Sequence, residues 1–244
     1  MNKLFAREAA GFAIAASVGL GFGLAYKDYA TKKYGGDAKA LLAEAKALRA
    51  AQQPAAAALK MRECLDLVEA KGGAHQRRTE HTAQLARALA ATLEEAAEDA
   101  TRPRRAAYLA EAEAAWTTAL EAAPPRHALR AVALDRLASY AQSRGDHAAA
   151  KPLYARAVRA LATPEEINAG ADSLKGHALD LAAIMANFAG CIYEDAGDGA
   201  AALKVLDQST KVCRVVADPE ARWDCEARVR ELRAHIAAQG PGRR

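Results

Sequence analysis

From Ala9 to Tyr26 the chain carries no charged residue, whereas beyond Asp37 its apolar residues return every three or four positions in alanine-rich sequence. That division restricts the fold to one apolar helix followed by amphipathic helices. As a helix, the uncharged run would be roughly 27 Å long, close to the ~30 Å hydrocarbon core of a bilayer. Gly11, Ala15, Gly19 and Gly23 recur at every fourth position and would form one smooth stripe against which another membrane helix can pack. Tyr26, Tyr29 and Tyr34, with Lys27, Lys32 and Lys33, supply aromatic and basic residues suited to a headgroup boundary.

The expected partners of this segment are membrane lipid and the transmembrane helices of a larger complex. A secretory signal is the alternative, with Asn2 to Arg7 as its basic start and cleavage after Gly23-Leu24-Ala25. A cleaved amphipathic presequence fits less well, because the run is apolar all round and follows Glu8. Charge does not decide orientation: Lys3 and Arg7 on one side face Lys27, Lys32 and Lys33 on the other.

Hydrophobic residues make up 52% of the chain and aromatics only 5%. A core of alanine and leucine suits closely packed helices better than a sheet, and no alternating Val/Ile/Thr run is present. The expected fold class is all-α. The formal net charge is +4, but acids and bases are interspersed. The clusters Arg77-Arg78, Arg102 with Arg104-Arg105, and Arg243-Arg244 are short and lack interleaved aromatics, so no nucleic-acid partner is expected.

Internal repetition is clearest at the turns. Ala138, Gly145, Ala150, Tyr154 and Ala157 have the same separations as Gly190, Gly197, Ala202, Leu206 and Ser209, at an offset of 52 residues, and both turns read Gly-Asp. Glycine ends a first helix, the small residue before the turn lets paired helices touch, and the small-bulky-small series places a knob between two notches. This arrangement resembles the tetratricopeptide repeat. Ala112, Trp116, Ala119 and Pro124 match the second helix of another unit, with Leu85, Leu89, Ala90 and Leu93 on its first helix and a longer loop around Thr101 to Arg105 between them. A fourth, least specific copy joins Leu41, Ala45 and Leu48 to Ala57, Met61 and Cys64 through Gln52-Gln53-Pro54.

The resemblance implies a stack of helix hairpins over residues 37–238, and the apolar run a membrane anchor at 1–34. Its units fall at about 37–71, 79–124, 127–162 and 179–217, with a capping helix at 219–238 and a flexible tail at 239–244. Thr163-Pro164-Glu165-Glu166 reads as a cap, a first-turn proline and capping acids, so a short helix is expected between the third and fourth units. Asp218-Pro219-Glu220 repeats that start signal.

Sequence motifs for chemistry are few. The histidines show no metal-ligand spacing, no nucleophile motif surrounds a serine or cysteine, and the glycines at 19, 21 and 23 lie inside the apolar run rather than after a strand. Neither enzymatic activity nor a cofactor nor a metal is expected. Cys213 and Cys225 flank Asp218-Pro219 at similar distances, so a hairpin there would bring them level. Two buried thiols is the preferred reading of the pair and a disulfide the alternative.

Tetratricopeptide stacks bind a peptide or another subunit on a concave face, and the resemblance implies that role here. The candidate partner-facing residues are Arg136, Tyr140, Arg144, Asn187, Tyr193 and Glu194. The amino-terminal segment also resembles the single-span accessory subunits of mitochondrial respiratory complexes, such as those of cytochrome c oxidase. That likeness implies an accessory or assembly subunit of the inner membrane with its repeats in the intermembrane space. A membrane-anchored import receptor or chaperone adaptor is the alternative, or an exported adaptor if the segment is removed.

Overall fold

The computed structural model describes residues 36–76, 79–170, 172–174 and 176–239, and every regular element among them is helical. The apolar run with Gly11, Ala15, Gly19 and Gly23, the boundary residues Tyr26, Tyr29, Lys32, Lys33 and Tyr34, and the tail from residue 240 lie outside the described residues. Among the described residues no helix is long and apolar enough to cross a membrane. The chain divides into two compact units, one ending at Pro124 and the other beginning at Pro125.

The first unit contains α1 (Gly36–Ala50), α2 (Pro54–Gln76), α3 (Glu80–Glu98) and α4 (Arg102–Ala122), each packed on the next. Its contacts are built from small side chains: Ala38, Ala45, Ala57, Ala83, Ala86, Ala90 and Ala112 are all fully buried. Polar pairs cross these seams. Buried Trp116 on α4 donates its indole N–H to Glu94 on α3 at 2.9 Å, and Arg49 on α1 donates to Glu95 on α3 through Nε at 2.8 Å. The expected long loop at Thr101 to Arg105 is corrected: only Asp99, Ala100 and Thr101 separate α3 from α4. Arg102 to Arg105 form the first turn of α4, where Pro103 costs no hydrogen bond because first-turn N–H groups lack helical acceptors.

The second unit comprises α5 (Ala128–Ser143), α6 (His147–Leu161), the short α7 (Pro164–Ala169), a 3-10 turn (Asp172–Leu174), α8 (Ala178–Ala196), α9 (Gly199–Cys213) and α10 (Pro219–Gln239). Helices α5 and α6 form one hairpin and α8 and α9 another; α6 packs on α8, and both α8 and α9 contact α10. The two Gly-Asp turns use the same chemistry. Gly145 and Gly197 take φ of +79° and +60°, a region that penalises any Cβ. Asp146 and Asp198 then cap the following helices by accepting from Ala149 N at 3.0 Å and Ala201 N at 2.9 Å. Thr163 and Glu166 form a reciprocal capping box at the start of α7, and Gly170 closes that helix at φ +61°.

Ala138, Ala150, Tyr154, Ala157, Ala189, Ala202, Leu206 and Ser209 are all buried between these helices. Tyr154 and Leu206 occupy equivalent knobs, and only the tyrosine brings a polar atom inside. Its hydroxyl donates to Gln142 Oε1 at 2.8 Å and shares a 3.1 Å hydrogen bond with Ser139. Ser209 donates to the Ala182 carbonyl at 3.0 Å, tying α9 to α8.

Gly190 departs from the expected close approach. It is buried, yet a Cβ built there meets no atom within 4 Å. Ala138, its counterpart in the other hairpin, already carries that methyl group. Because glycine inside a helix costs about 1 kcal/mol relative to alanine, Gly190→Ala should stabilise the protein by ~0.5–1 kcal/mol in urea unfolding. A loss of stability would show that the helices do need glycine there.

Cys213 and Cys225 are joined in a disulfide across the α9–α10 corner, with Cα atoms 5.8 Å apart. This corrects the preference for two free thiols: the short connection through Asp218-Pro219 brings the end of α9 and the second turn of α10 within bonding distance rather than merely to the same height. Cys64 and Cys191 are buried and form no disulfide among the described residues. Cross-linking residues 12 apart should restrict the unfolded chain by about 3 kcal/mol. Reduction, or Cys225→Ser, should therefore lower the urea midpoint while α10 still packs on α8 and α9. An identical midpoint with and without reductant would contradict this.

Candidate functional site

In the second unit a ladder of polar side chains crosses α5, α8 and α10. Asn187 on α8 donates through Nδ2 to Asp135 on α5 at 3.0 Å, and its Oδ1 accepts from Arg228 Nη2 on α10 at 3.0 Å. A second rung links Gln142 Nε2 on α5 to Glu194 on α8 at 2.7 Å. Gln142 is itself held by the Tyr154 hydroxyl, so the buried knob of α6 positions a side chain of the exposed rung. Near the same edge, Lys151 on α6 pairs with Asp195 on α8.

Both rungs connect residues exactly one repeat apart, since 135 to 187 and 142 to 194 each span 52 positions. First helices of successive hairpins therefore lie side by side in register. Asp135, Ser139 and Gln142 were not singled out in the sequence. Adding the repeat offset to each polar residue of α5 would have found two of them, because equivalent positions on adjacent first helices become neighbours.

Of the expected partner-facing residues, the structure brings Asn187 and Glu194 into this ladder. Arg136 is half-buried on α5, and its positive charge acts on the neighbouring Asp135. Tyr140 is half-buried on α5, and Arg144 is exposed at the α5 C-cap. Half-buried Tyr193 packs against the hydrophobic core, its ring edge near the position a Cβ on Gly199 would take.

Electrostatics explain why the ladder is paired. Burial raises the pKa of Asp135 above the ordinary carboxylate range; Arg136, the Asn187 hydrogen bond and Arg228 pull it down without cancelling that effect. Burial also raises the Tyr154 hydroxyl well above its usual value, so it remains a hydrogen-bond donor at neutral pH. Cys191 lies 3.9 Å from His147 Nδ1, a pairing that elsewhere activates a thiol. Here burial, followed by the Glu194 charge, pushes the thiol up to about 11. It stays protonated near neutral pH. Among the described residues no cluster of histidine, cysteine and carboxylates has the geometry of a metal site.

The chain matches no protein-family model and no curated protein.

A raised carboxylate binds its proton more tightly in the folded than in the unfolded state. Its contribution to stability is thus greatest at acid pH and falls as pH rises from the ordinary carboxylate range through the raised value. Asp135→Asn cannot ionise and still offers Oδ1 to Asn187. Its urea midpoint should exceed that of the wild type at pH 7, with the gap closing toward pH 3. A gap independent of pH would show that ionisation of Asp135 is not responsible.

Proposed function

We propose that this chain is a non-catalytic protein-interaction scaffold of the tetratricopeptide type, tethered to a membrane through residues 9–26. The observation that carries the scaffold reading is the pair of hydrogen bonds at the repeat offset, 135 to 187 and 142 to 194. They align the first helices of successive hairpins, the arrangement that makes the inner face of such a stack. In this reading α10 supplies a third helix of that face and caps the core through Cys225, Val229 and Ile236. The partner is a protein segment laid across α5, α8 and α10, with Arg136, Tyr140 and Arg144 beside the ladder.

The membrane setting we propose is the mitochondrial inner membrane, with the helical units in the intermembrane space as part of a respiratory complex. Support comes from the Cys213–Cys225 disulfide, which persists on the oxidising side of such a membrane and not in a reducing compartment. The small-residue stripe is suited to a membrane helix of the complex. An anchored receptor or adaptor is the alternative, and the same disulfide is compatible with a periplasmic location.

Native electrophoresis of detergent-solubilised membranes, with mass spectrometry of the band that carries the chain, separates these readings. A stoichiometric large complex with the apolar segment intact is expected. A small species with the segment intact would favour the receptor, and a chain beginning near Tyr26 would overturn the anchor. Gly19→Leu with Gly23→Leu should leave membrane insertion intact but reduce co-migration several-fold, since bulk separates the packed helices. Unchanged co-migration would sink the packing stripe.

A further inference from the structure

Four arginines from distant parts of the sequence line a single cleft in the second unit. Arg126 and Arg130 lie at the start of α5, and Arg156 and Arg159 on the last turns of α6. Between them lie Pro125 and Ala160, above buried Leu134, and the open surface cleft has a volume of about 310 Å³. No acidic side chain lines it. Arg126, Arg156 and Arg159 are exposed and make no ion pair with any described residue.

Solvated arginines ordinarily spread around a helix, whereas these converge. Compensation of a helix dipole accounts for Arg159 alone, in the last turn of α6. Arg126 and Arg130 flank the opposite kind of terminus, where the α5 dipole is positive and the first turn holds no acidic residue. A cation at that terminus is repelled by the dipole, and an anion seated beside exposed Arg126, Arg156 and Arg159 relieves the repulsion.

We propose that this cleft is a binding site for a compact phosphate-bearing ligand. Guanidinium groups meet phosphate oxygens through paired N–H donors, and a phosphate monoester carries up to two negative charges where a carboxylate carries one. Several guanidiniums around one cavity match the higher charge. The volume exceeds a single phosphate group, leaving room for a second phosphate or for an organic portion against Pro125 and Ala160. The site is separate from the polar ladder and does not depend on the scaffold reading.

The test is isothermal titration of the full-length chain at low ionic strength with two probes: inorganic pyrophosphate and a short phosphoserine peptide. Saturable binding of at least one probe is expected, weakened at least ~10-fold in Arg156→Gln/Arg159→Gln and steeply reduced by salt. Binding of pyrophosphate alone would identify a free phosphate ligand, and binding of the peptide alone a phosphorylated protein segment. Absence of saturable binding for both probes, or undiminished binding by the double variant, would overturn the site. Arg156→Lys/Arg159→Lys retains the charge and should bind more weakly than the wild type. Full affinity in that variant would overturn recognition by the guanidinium forks. Both positions are exposed, and unchanged thermal melts of the variants would separate loss of binding from loss of fold.

Discussion

The second unit rests on how closely its helices approach across alanine. Where Ala138, Ala150, Ala157 and Ala202 are fully buried, two backbones meet with little between them, and any larger group must be placed with care. Tyr154 is such a group. Its ring lies 6.1 Å from that of Phe188, and its hydroxyl is buried and must find partners. Ser139 and Gln142 provide them, so a packing requirement of α6 dictates two polar residues of α5. Gln142 then reaches Glu194 on the next hairpin. At the equivalent knob Leu206 has no polar atom to satisfy, and the α8–α9 hairpin uses Ser209 instead, bonded directly to backbone.

That dependence links packing to the candidate site. The ladder of Asp135, Asn187 and Arg228 joins three helices by charge-assisted and amide hydrogen bonds, and its members are useful only while α5, α8 and α10 keep their register. The disulfide contributes at the far end, because α10 carries Arg228 and is bonded to α9 through Cys213 and Cys225. The arginine cleft is different in kind. Its four arginines carry one sign of charge, and exposed Arg126, Arg156 and Arg159 make no ion pair with any described residue, which leaves local positive potential for a ligand.

Much of the local structure was legible. Gly145-Asp146 and Gly197-Asp198 mark helix ends because only glycine adopts the left-handed conformation without strain, and aspartate then caps the next helix. Thr163 and Glu166 announce a helix start for the same local reason. The α3–α4 connection misled because Pro103 with three arginines looks like loop sequence, although proline suits a first turn. Gly190 misled because a glycine in a small-residue position suggests tight contact, and only the neighbouring atoms show the room for a methyl group. The arginine cleft was hidden since Arg126 and Arg130 are four apart, Arg156 and Arg159 three apart, and neither pair is a charge run.

What the sequence determined alone was the class of structure: helices, their turns and the 52-residue echo between two hairpins, all consequences of backbone preference and apolar spacing within a few residues. Tertiary structure decided which distant side chains became neighbours. It paired Asp135 with Asn187, bonded Cys213 to Cys225 and gathered the four arginines, because those outcomes depend on the angle and register at which helices pack. Register and crossing angle are set by the fit of whole faces, and no short stretch of sequence contains that information.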